Sequence, residues 1–212
     1  MDPGKFALIF PASTFVPVVL GFFGLGTGYL IYGPQELFHA PRRDAAVDRS
    51  TGVWGIFMPG LCQLLAGVYL FVGLTWFQVF QDKALFMAAL AFSVYGIHWF
   101  ALGWNRYRQS DARPNGGMSV AFVIISVLGM VVFFGVGAWP VGLLFAGLTA
   151  VYVAEFFASV PIGGRTSSLA GKTMALGEKG LGLFHIATGL WLMYLTFATT
   201  LNITSGYSLP GG

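Results

Sequence analysis

The sequence predicts an all-α integral membrane protein, a single domain (residues 1–212) built as a bundle of six transmembrane helices. Two observations carry this. Of 212 residues, 56% are hydrophobic and only 9% are charged, whereas a soluble domain carries about 25% charged residues. The apolar residues also fall in long runs, and about 20 mostly apolar residues is the length that crosses the hydrocarbon core as a helix. So few charges could not cover a water-exposed surface, so lipid is the expected solvent.

The runs place the spans at roughly 15–32, 53–74, 84–102, 120–136, 139–157 and 181–201. Strands are disfavoured because the runs are too long and lack the period-2 alternation of a membrane barrel. Three polar loops separate them: Pro34 to Ser50, Asn105 to Met118 and Pro161 to Lys179. These loops hold nine of the eleven lysines and arginines; Lys5 and Lys83 are the others. Basic loops tend to stay cytoplasmic, so the count predicts a multi-pass protein of the cytoplasmic membrane with both termini outside. Met1 to Phe6 has no signal-peptide pattern, and the first span is the expected insertion signal. Gly24 and Gly28 have the GxxxG spacing that lets helices approach closely.

The net charge of +3 reflects these loop bases and points to orientation, not to nucleic acid. The single cysteine, Cys62, excludes a disulfide framework. The stretch Gly163 to Thr173 superficially resembles a phosphate-binding loop, but Thr166 stands where that motif needs glycine and no strand precedes it. No HExxH, CxxC or strand-borne GxSxG occurs, so no enzyme, metal site or cofactor is expected. Histidines in separate spans raise bis-histidine haem ligation, but such sites need a better-organised histidine set.

Polar residues inside spans are costly and each needs a partner or a cavity. The candidates are Gln63, Tyr95, His98, Thr149, Glu155 and His185. Tyr95 and His98 are three apart and share a helix face. On one expectation this face lines a path, Tyr95 donating a hydrogen bond to a passing carboxylate and His98 carrying a proton. Glu155 is a second candidate proton carrier. On the alternative, His98 bonds a carbonyl of a neighbouring helix, Glu155 lies at the interface, solvated or paired with an arginine, and His185 packs.

The residues Trp54-Gly55-Ile56-Phe57, Gly60, Gln63, Ala66-Gly67, Tyr95-Gly96 and Trp99 resemble the acetate uptake transporter family. The similarity is good over about 53–102 and looser elsewhere. It implies a channel or proton-coupled transporter for acetate and related monocarboxylates, with succinate a further solute. It also implies protons and membrane lipid as partners and a homo-hexamer of six-helix protomers. Its gate motifs fall on Phe23, Tyr95 and Leu148, and the implied solute path includes Thr14, Gln63 and Thr149. The family's Asn-Pro-x-Pro signature departs here, with Thr14 and Phe15 at its first two positions, and His98 is not part of the family pattern. Members are described with cytoplasmic termini, against the loop count. A non-transporting membrane subunit of a larger complex is the alternative function.

Overall fold

The structure, a computed structural model, describes residues 15–162 and 167–211. Among the described residues every regular element is helical, and six long helices account for the expected spans. They are α1 (Phe15–Leu37), α2 (Ala45–Thr75), α3 (Ala84–Arg108), α4 (Asn115–Gly135), α5 (Trp139–Ser159) and α6 (Ser168–Ser205). By length and hydropathy, α2 to α6 are each able to cross a membrane. The protein is a multi-pass membrane helix bundle.

Four helices run further into the polar segments than their apolar runs indicate, for local reasons. α1 continues through Pro34 to Leu37. Proline removes a single donor, and Phe38 N–H still bonds the Pro34 carbonyl at 3.0 Å. α2 is preceded by Asp44, whose carboxylate accepts from the Ala46 and Val47 amides, an N-cap that satisfies orphan donors. α3 runs on to Arg108, where two bases in the last turn favour the helix dipole. α6 is capped by Ser167, which accepts from Leu169 N–H, and ends at Gly206 with φ 68°, a left-handed position that glycine adopts freely. Its 38 residues span about 57 Å, well beyond the roughly 30 Å of hydrocarbon. The segment from Ser168 to Lys179, expected as loop, is therefore the start of this helix.

α2 is interrupted by a π-helical section, Ile56–Leu61, that contains Pro59. Proline lacks the donor for the α ladder, and the wider turn absorbs it. α1 meets this section through its GxxxG pair. A Cβ on Gly24 would lie 2.4 Å from the Met58 carbonyl oxygen, and one on Gly28 would lie 2.7 Å from Pro59 Cγ. Here glycine serves close packing. Around the bundle, α1 packs on α2 and α6, α2 on α3, α4 on α5 and α5 on α6, while α3 and α4 meet over a much shorter stretch. The six helices thus close into a ring whose thinnest seam is α3–α4.

Inside the ring, α1 presents Val18, Phe22, Leu25, Tyr29, Tyr32 and Glu36, all buried. Their spacing of four, three, four, three, four is that of one helix face. α3 contributes Phe92, Tyr95, His98 and Trp99, α5 Leu144, Leu148, Val151 and Tyr152, and α6 His185, Leu192 and Leu195.

Candidate functional site

Two cavities lie in the ring, opening toward opposite ends. The first, about 630 Å³, is lined by Glu36, Arg43, Asp48, Asn105, Arg106, Asn115, Glu155, Ser159, Glu178 and His185, with Tyr29, His98, Trp99 and Tyr152 at its depth. Residues of all three polar segments contribute, so this cavity opens at the end that carries the basic residues. The second, about 420 Å³, is apolar: Val18, Phe22, Leu25, Phe92, Phe133, Leu144, Phe145, Leu148 and Leu192 line it. Its polar groups are few, chiefly Gln63 and Tyr95, with Gln81 and Asp82 on the connection between α2 and α3.

The cavities are one helical turn apart on three helices. Leu25 faces the apolar cavity and Tyr29 the polar one; Tyr95 and His98 divide in the same way, as do Leu148 and Tyr152. One turn is about 5.4 Å. Between them lies a cluster of rings. Tyr95 and Tyr152 stack at 5.8 Å between centroids, Phe122 lies 5.3 Å from Tyr95 and 5.0 Å from Tyr152, and His98 lies 4.7 Å from Phe122. Tyr29 approaches the His185 ring at 4.4 Å and Trp99 at 5.9 Å. Tyr95 reaches this layer because the next residue is glycine. A Cβ on Gly96 would sit 2.6 Å from Leu64 N, so α3 lies flush on α2 and directs Tyr95 inward.

Hydrogen bonds fix the polar groups. Ser126 Oγ donates to the Phe122 carbonyl at 2.6 Å, so its single proton is used. The 2.8 Å contact between Tyr95 Oη and Ser126 Oγ is therefore a bond that Tyr95 donates. His185 Nδ1 and Glu36 Oε2 lie 2.6 Å apart, both side chains buried. Asn115 Nδ2 donates to Glu155 Oε1 at 3.0 Å and Ser159 Oγ donates to it at 3.2 Å. Asp48 accepts from Arg106 Nε at 2.6 Å and from Arg43 Nε at 3.0 Å. Arg106 also donates to Gln35 Oε1, and Gln35 Nε2 donates to Thr51 Oγ1 at 2.9 Å. In the loop beside this mouth, hydrogen bonds from Arg113 hold the Asp111 carboxyl down at about 2. Tyr29 Oη, Trp99 Nε1 and Gln63 Oε1 are buried without a hydrogen-bond partner among the described residues.

Tyr95, Leu148 and Gln63 come together on the apolar cavity, and His98 and Glu155 on the polar one. Phe23 does not join them. It points out of the bundle at 44% exposure, whereas Phe22 is buried, lines the cavity and meets Phe92 at 5.9 Å. The cause is helical phase, since one residue is about 100° of rotation. Thr149 also lies off both cavities, its hydroxyl bonding the Phe145 carbonyl of its own helix. The expected Tyr95 donor is taken up by Ser126. Glu155 is held by Asn115 and Ser159, and no arginine pairs with it among the described residues. Thr14 falls outside the described residues, as does the start of the glycine-rich stretch at 163–166. Sequence reasoning does not reach Glu36, which lies in the polar segment beyond the apolar run that ends at 32; the interior face from Val18 to Tyr32 points to it.

A ring of membrane helices with two opposed cavities and a thin aromatic layer between them defines a membrane bundle of channel-like architecture. No family model matches the chain, and no curated protein matches it in sequence. A solved structure does match in fold, that of the bacterial acetate channel SatP. The superposition covers 92% of this chain and 98% of that one, with a TM-score of 0.67 and 19% sequence identity.

Proposed function

We infer that the protein provides a path through the membrane for acetate and related small monocarboxylates. The observation that carries this is the single helical turn that separates two cavities facing opposite ends of the bundle. The likeness in fold to an acetate channel supports the choice of solute. The constriction consists of Phe22, Tyr95 and Leu148, whose bulk excludes water and ions by shape and dewetting. His98, Glu155 and the Glu36–His185 pair lie on the polar side and are the candidates for carrying a co-moving proton. Carboxylates and histidines within membrane helices serve such relays elsewhere. The polar cavity faces the cytoplasm, because it opens among the basic segments. The assembly is a homo-hexamer.

Labelled-acetate uptake into proteoliposomes, with and without a pH gradient, tests the activity. Protein-dependent uptake supports the path, and acceleration by an inward proton gradient supports coupling. Uptake no faster than in protein-free vesicles overturns both. Native mass measurement in mild detergent tests the hexamer, which a transporting monomer or dimer would exclude.

A further inference from the structure

Resting on that path, we propose a further activity: the protein also conducts small uncharged primary amides, with acetamide the simplest. Three independent features of the route favour a solute that both donates and accepts hydrogen bonds over a bare carboxylate, which only accepts.

The first is the charge of the polar cavity's lining, where carboxylates outnumber arginines. Arg43 and Arg106, the arginines lining the polar cavity, both bind Asp48. Arg113, in the adjoining loop, is engaged by Asp111. Three further carboxylates, Glu36, Glu155 and Glu178, line the same cavity, and none is paired with a lysine or arginine among the described residues. The apolar cavity is lined by no lysine or arginine. An anion leaving water here would meet two arginines already shared with Asp48 and three further carboxylates, then an apolar cavity without a cation, and an unpaired buried charge is strongly disfavoured.

The second is Tyr95. Its proton is donated to Ser126, so the hydroxyl at the constriction can only accept from a solute. The third is the set of buried groups without partners. Trp99 Nε1 and Tyr29 Oη, in residues that line the polar cavity, supply donors, and the Gln63 carbonyl, in a residue that lines the apolar one, supplies an acceptor. A primary amide fits this sequence of groups. Its carbonyl accepts from Trp99 or Tyr29, and its NH2 donates to Tyr95 and then to Gln63. It has the planar two-atom head and the size of a carboxylic acid, and it carries no charge at any physiological pH.

The test is stopped-flow light scattering of proteoliposomes mixed with acetamide, set beside labelled-acetate uptake in the same preparation. The expected result is acetamide entry several-fold faster than in protein-free vesicles. Gln63→Met, which keeps volume and removes the amide, should slow it about fivefold per folded protein, the loss of one hydrogen bond. Tyr95→Phe should slow it similarly. Acetate uptake without accelerated acetamide entry would overturn the proposal while leaving the carboxylate path standing. Failure of both solutes to enter would overturn the path and the proposal together.

Discussion

His185 Nδ1 on α6 and Glu36 Oε2 on α1 lie 2.6 Å apart in the wall of the polar cavity. They join the two helices with the most extensive mutual packing in the bundle. A hydrogen bond to a charged group contributes about 1.5–3 kcal/mol. Glu36→Gln and His185→Gln should each destabilise the detergent-solubilised protein by an amount in that range. The double variant should lose less than the sum of the two. Denaturation midpoints of the four proteins give the coupling energy, and strict additivity would mean that the pair makes no bond.

Phe22 and Phe23 form a built-in control. Phe22 lines the apolar cavity and Phe23 points outward. Phe22→Ala should raise solute flux per folded protein or admit larger acids, and Phe23→Ala should leave selectivity unchanged. Flux of acetate against butyrate in proteoliposomes separates them. An effect of Phe23→Ala alone would return the gate to that residue.

Gly96 holds α3 against α2. A methyl group there would meet the Leu64 amide nitrogen at 2.6 Å, and backbone cannot step aside as a side chain can. Gly96→Ala should cost about 1–3 kcal/mol, read as a lowered melting temperature, and should reduce flux because Tyr95 moves with its helix. A variant with unchanged melting and flux would show that the two helices do not touch at this point.

Orientation is tested with single cysteines in a Cys62→Ser background. Gln81 and Ser110 are both exposed and lie at opposite ends, one by the apolar cavity and the other by the polar one. A membrane-impermeant thiol reagent should label Gln81→Cys on intact cells and Ser110→Cys only after permeabilisation. The reverse pattern would place the termini in the cytoplasm.

The six helices were legible because apolar runs of membrane length admit few alternatives. Their ends were not, because capping at Asp44 and Ser167 and the tolerance of α1 for Pro34 are local effects that hydropathy averages away. Tyr95 and Leu148, the two positions given by motif spacing on regular helices, both line the apolar cavity. Phe23, counted from a degenerate proline signature, falls off the cavity lining, since one residue changes the face of a helix. The face itself was written in the chain as Val18, Phe22, Leu25, Tyr29 and Tyr32. The Tyr95–Ser126 bond had no such trace, because it joins residues 31 apart on two helices.

The thin seam between α3 and α4 gives the aromatic layer a second duty. Few backbone approaches join these helices, and among the contacts that bridge them are the Tyr95–Ser126 bond and the Phe122 ring against Tyr95 and His98. The rings that separate the two cavities are thus also rivets across the thinnest joint of the wall. Separation and cohesion rest on the same few atoms, so a substitution that opens the layer between the cavities should also loosen the hoop around it.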